Sequence, residues 1–78
     1  MDSSLYVDEE IAKIYNRQYN TVYRICFSFM KNSVDAEDMA QETFLKLISS
    51  KKQFESEEHE KAWLIVTASN TCKDELRQ

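Results

Sequence analysis

The sequence predicts an all-α fold, a three-helix antiparallel bundle, on three observations. Neither glycine nor proline occurs in the 78 residues, so the usual punctuation of β-hairpins and tight loops is missing. Apolar residues recur at helical spacing in three stretches. Short polar connections separate these stretches, which makes consecutive helices antiparallel neighbours. A chain of 78 residues forms one domain with a simple architecture, too small for an enzyme with a deep substrate cavity.

The first helix is expected over about residues 8–31, with Asp8 as its cap and Glu9 and Glu10 in the first turn, where the helix dipole favours negative charge. Ile11, Tyr15, Val22, Cys26 and Phe29 form its central stripe, flanked by Ile14, Ile25, Tyr19, Tyr23 and Met30. An apolar arc this wide suits a helix that packs against two others. Lys13, Arg17, Asn20 and Arg24 fall on the polar side and read as a solvated face, with Phe27 at its edge as peripheral core. Lys31 closes the helix, and Asn32 and Ser33 turn the chain, with Ser33 as the expected cap of the next helix.

The second helix, expected over about residues 34–49, gathers Ala36, Met39, Ala40, Thr43, Phe44 and Leu47 on one side as core. Asp38, Gln41 and Glu42 stand opposite, and among them stands Leu45, an apolar side chain on a face the core does not need. On periodicity alone a docking surface and a solvated face with one exposed leucine fit equally well.

The run SSKKQFESEE reads as a loop anchored by Phe54, after which Ser56 caps a third helix expected over about residues 57–77. Ile65, Cys72 and Leu76, with Ala68 and Ser69 beside them, form the stripe expected to face the core. Trp63, Thr67, Asn70 and Asp74 share the far side, near Lys73 and Arg77. An indole and a carboxamide beside cations can stack on and hydrogen-bond unpaired bases. The same residues also fit a plainer reading, in which Trp63 covers the core edge and Asp74 pairs with Arg77 at i, i+3.

Charge is uneven along the chain. Residues 33–60 hold eight acids against three bases, whereas residues 61–78 hold two acids against three bases. The middle segment would attract a basic protein surface and repel a phosphate backbone, which disfavours whole-domain electrostatic DNA binding. Cys26, Cys72 and the lone His59 show neither metal-ligand nor disulfide spacing, so no metal or cofactor is expected and the cysteines read as buried free thiols in a reducing compartment. No stretch reaches the apolar length of a membrane span, and the first ten residues lack the basic flank and apolar core of a signal peptide. The expected location is the cytoplasm.

DAEDMAQETFLKL at residues 35–47, then Phe54, then KAWLIVTASNTCKDELR at residues 61–77, resembles region 2 of the extracytoplasmic-function (ECF) group of bacterial RNA polymerase sigma factors. The resemblance runs from about Tyr15 to Arg77 in the right order and with the right gaps. It implies a region 2 domain that docks on the coiled-coil clamp helices of the polymerase β′ subunit. The matching positions are Asp38, Gln41 and Glu42, to which the helical wheel adds Leu45. It also implies that the loop before the third helix and that helix's outer face engage the non-template strand of the −10 promoter element and help to melt it. Here those elements offer Lys52, Trp63, Asn70, Lys73 and Arg77.

Many members of that group carry a basic residue where Val66 stands and often another near Ser69, so this third helix is less cationic than the resemblance implies. Region 4, which reads the −35 element, has no counterpart, and the chain is expected to be a fragment of a longer factor. The resemblance further implies an anti-sigma factor as partner, no catalytic residue and no insertion into a membrane. The alternative is a sigma-like helical adaptor that binds protein only.

Overall fold

The computed structural model describes residues 4–78, and among them it contains three α-helices and no strand: α1 (Ser4–Met30), α2 (Ser33–Ser50) and α3 (Glu57–Leu76). The helices pack as a bundle, with each touching the other two. The short turn after α1 reverses the chain, so α2 runs back along it. Arg17 meets Glu60 near the start of α3, and Lys46, near the end of α2, reaches Thr71 towards the end of α3. α3 thus packs against both earlier helices.

The first helix begins earlier than expected. It starts at Ser4, so Asp8 lies within it instead of capping it. Nothing between Ser4 and Asp8 breaks a helix, so the helix runs on through Asp8.

Asn32, and not Ser33, caps α2. Its Oδ1 accepts from the Asp35 N–H at 2.9 Å, and its Nδ2 donates to the Met30 carbonyl at 3.2 Å and to Asp35 Oδ2 at 2.9 Å. One side chain thereby satisfies an orphan donor of α2 and a terminal acceptor of α1. Both helix ends that would ordinarily take a left-handed glycine carry a lysine instead, Lys31 at φ 68° and Lys51 at φ 53°. With no glycine in the chain, the left-handed turns fall to side chains long and polar enough to remain in solvent.

The core holds Ile14, Val22 and Cys26 of α1, Ala36, Ala40, Phe44 and Leu47 of α2, and Leu64, Ala68 and Cys72 of α3. Both cysteines are free and buried. Tyr15, placed by the sequence at the centre of the α1 stripe, stands at the edge: one side of its ring meets Phe44 at 4.8 Å, and it borders a groove shared with Ile11 and Ile48. Phe27 is exposed, tilted against Tyr23.

The third helix is turned relative to the expected stripe. Its buried face is Glu60, Leu64, Ala68, Thr71 and Cys72. Ile65 is only half-buried, and Leu76 is 56% exposed. Two of the buried residues are polar, so an apolar tally does not register them, yet each is satisfied. Thr71 Oγ1 donates to the Thr67 carbonyl at 2.7 Å and accepts from Lys46 Nζ at 2.8 Å, which ties α3 to α2. No buried side-chain polar atom among the described residues lacks a partner, as close packing of a small domain requires.

Candidate functional site

Two surfaces emerge from this packing. On α2, burial of Ala36, Ala40, Thr43, Phe44 and Leu47 turns Asp38, Gln41, Glu42 and Leu45 outward, and all four are exposed. Leu45 is 60% exposed. Gln41 and Leu45 line an apolar groove between α1 and α2, floored by Phe44 and walled by Ile11, Tyr15 and Ile48. Among the described residues, neither Asp38 nor Glu42 is in an ion pair. The result is a carboxylate and amide row beside an apolar cleft, a combination that suits a basic, amphipathic partner helix.

The second surface is split. Asn70, Lys73 and Arg77 come together at a shallow recess near the end of α3, alongside Asp74 and Leu76. Arg77 is ion-paired with Asp74 within that recess, so its charge is already partly matched. Lys52 lies apart, at a recess between the α2–α3 loop and α1 that Glu10, Gln53, Phe54 and Glu60 also line. Trp63 does not stand free on the outer face. It is half-buried against the core with its ring edge-on to Phe54 at 5.8 Å, so it joins the loop to α3. Val66 is 59% exposed, an apolar residue on the outer side of the helix.

The loop is braced at its far end as well. Ser56 Oγ accepts from the His59 N–H at 3.1 Å, His59 Nδ1 accepts from the Glu55 N–H at 3.4 Å, and the Phe54 ring meets the imidazole edge-on. Capping and aromatic packing together order a segment whose composition alone reads as open loop.

Sequence reasoning missed the polar cluster that seats α3. Arg17, expected on a solvated face, reaches Glu60: Nε donates to Oε1 at 3.0 Å and Nη2 to Oε2 at 2.8 Å. Gln18 Nε2 donates to the same Oε1 at 2.9 Å. Glu60 is only 4% exposed. The Arg17 hydrogen bonds, reinforced by Gln18, hold its carboxyl below the usual carboxylate range against the opposing effect of burial, and the guanidinium pKa is raised in return. The signal was present: Glu60 lies on the stripe that continues through Leu64 and Ala68, so a carboxylate there needs a partner from another helix.

Among the described residues, no group of three His, Cys, Asp or Glu side chains is arranged to hold a metal ion. No helix among them is long and apolar enough to cross a membrane.

Comparison with known proteins agrees with this geometry. The sigma-70 region 2 family model matches residues 14–78. Relatives from Bacillus subtilis (strain 168) include the ECF RNA polymerase sigma factor SigX, 26% identical over 72 residues that cover 92% of this chain and 37% of the relative. The RNA polymerase sigma factor SigV is 38% identical over 56 residues, 72% of this chain and 34% of the relative. The ECF sigma factor SigW is 29% identical over 69 residues, 88% of this chain and 35% of the relative. The chain therefore spans about a third of the length of the curated relatives it matches. No solved structure matches. With a family match over most of its length and the three-helix architecture described above, the chain belongs to the sigma-70 region 2 family, as a domain of the ECF sigma factor type.

Proposed function

We propose that this domain acts in transcription initiation by docking on the β′ clamp helices of RNA polymerase through Asp38, Gln41, Glu42 and Leu45, and by presenting α3 and the loop before it to the −10 promoter element. The observation that carries the reading is the exposed α2 row beside the apolar groove, on the positions that match the family's polymerase-binding residues. An exposed leucine beside Gln41, Glu42 and an apolar groove suits an interface whose apolar centre is ringed by charge.

On the nucleic-acid side, Asn70, Lys73 and Arg77 offer hydrogen bonds and charge to the unpaired non-template strand, with Lys52 near its path and Trp63 bracing the loop. The domain supplies binding and strand separation, and the polymerase performs the chemistry in the cytoplasm. An anti-sigma factor that covers the α2 row would restrain it. In complex with core polymerase, the chain is expected to retain single-stranded −10 DNA, and the double substitution Lys73→Ala with Arg77→Ala to release it.

One observation favours a second reading, a sigma-like adaptor that binds protein only. The outer face of α3 carries Val66 where a cation would serve DNA, and Arg77 is already paired with Asp74. Clamp binding without any capture of −10 DNA would select the adaptor.

A further inference from the structure

The acidic row of α2 has a neutralising cation within its own helix, and the fold draws that cation away. Lys46 lies four residues after Glu42, the spacing and the order at which a helical glutamate and lysine pair best. Among the described residues, neither Lys46 nor Glu42 is in an ion pair. Lys46 instead crosses to α3, where its Nζ donates to Thr71 Oγ1 at 2.8 Å.

The receiving hydroxyl is fixed. Thr71 is only 2% exposed, and its Oγ1 gives its one proton to the Thr67 carbonyl at 2.7 Å, which leaves its lone pairs to the ammonium. At about 100° per residue, Lys46 falls between the outward Glu42 and the buried Thr43 and Leu47. Its long side chain therefore has two places to go, outward to the carboxylate or across to α3. A charge-assisted bond to an immobile, half-sheltered acceptor outweighs an exposed pair on a helix surface.

We propose that Thr71 is a positioning residue for the polymerase dock: its hydroxyl parks Lys46 on α3 and so leaves the Glu42 carboxylate unpaired for a basic partner helix. The inference rests on the reading of Asp38, Gln41, Glu42 and Leu45 as that dock. With Lys46 parked, the row meets its partner at full negative charge. Without the hydroxyl, Glu42 is the partner that its own helix offers Lys46, and a basic helix must displace the lysine before it can bind. Glu75, one turn beyond Thr71 on α3, is the rival acceptor for a released Lys46, and capture there would leave the dock unaffected.

The test compares the natural chain with Thr71→Val, Thr71→Ser, Lys46→Met and the double variant Thr71→Val with Lys46→Met. Each is first shown to be folded by circular dichroism, then titrated with the isolated β′ clamp helices at low salt. Valine keeps the shape of threonine but offers no acceptor, so Thr71→Val should bind about twofold more weakly, whereas Thr71→Ser should bind as the natural chain does. Lys46→Met should bind no more weakly than the natural chain, and adding it to Thr71→Val should restore the lost affinity, because no cation is left to occupy Glu42. A mere packing defect would not be repaired by removing a second side chain. The Lys46 ammonium resonance gives a readout that needs no partner: it should be protected from solvent exchange in the natural chain and in Thr71→Ser, and unprotected in Thr71→Val. Equal binding by Thr71→Val and the natural chain, a double variant as weak as Thr71→Val, weaker binding by Lys46→Met, or an unprotected Lys46 ammonium in the natural chain would each overturn the inference and leave the dock standing. A natural chain that does not bind the clamp helices would remove the dock, and the inference with it. Should Thr71→Val not fold, the ammonium resonance and Lys46→Met still decide.

Discussion

Arg17 and Glu60, 43 positions apart, join α1 to the first turns of α3 through two parallel hydrogen bonds of 3.0 and 2.8 Å. The carboxylate is buried while the guanidinium keeps one side in solvent. The pair closes the one point at which a polar side chain interrupts the buried face at the start of α3, and it seats the helix that the proposed function assigns to the promoter.

That pairing gives stability an acid limb. The Glu60 pKa in the folded domain lies below its ordinary value of 4.5, so the folded state binds its proton less readily than the unfolded chain does. The contribution is fully present above about pH 4.5 and is lost as pH falls through the lower folded value. Denaturant midpoints measured from pH 6 to pH 3 should fall across that window, and Glu60→Gln should be less stable at pH 6 and show a shallower acid decline. An unchanged acid limb in the variant would remove Glu60 as its source.

The rotation of α3 is testable with two alanines. Leu64 is fully buried and Leu76 is mostly exposed. Leu64→Ala should therefore cost about 2–5 kcal/mol, whereas Leu76→Ala should stay within about 0.5 kcal/mol. Leu47→Ala on α2, also in the core, belongs with Leu64 at about 2–5 kcal/mol. Equal effects at Leu64 and Leu76 would return α3 to the orientation that apolar spacing alone suggests.

Lys31 offers a gain instead of a loss. A left-handed conformation costs a residue with a Cβ about 1–2 kcal/mol, and Lys31 holds φ 68° in an exposed turn. Lys31→Gly removes that cost but adds chain entropy to the unfolded state, so the net stabilisation should be under about 1 kcal/mol. A lowered thermal midpoint would show that the lysine makes a contact worth more than the strain it carries.

These residues also show how far the sequence can be read. The α2 pattern was legible because its core side chains and its outward row alternate cleanly, and Asp38, Gln41, Glu42 and Leu45 fall where the wheel puts them. On α3 the run Ala62 to Val66 is apolar all round, so hydropathy gives little phase. The buried stripe includes Glu60 and Thr71, whose burial depends on Arg17, Gln18 and Lys46 from other helices, information no local window contains. The caps divided in the same way. Ser56 is fixed by its own helix, whereas Asn32 was hidden by Ser33 beside it, and its advantage comes from serving two helix ends at once. The sequence leaves Trp63 open between a stacking platform and a cover for the core edge, and Phe54, nine residues earlier, packs edge-on against it.

The most direct measurement is binding of this chain to the isolated β′ clamp helices, with Glu42→Lys and Leu45→Arg compared against the natural sequence. Both positions are exposed, so both variants should keep their helix content and thermal midpoint while losing binding by at least tenfold, about 1.4 kcal/mol. Binding that survives both substitutions in folded protein would contradict the assignment of the α2 row and its groove as the polymerase dock.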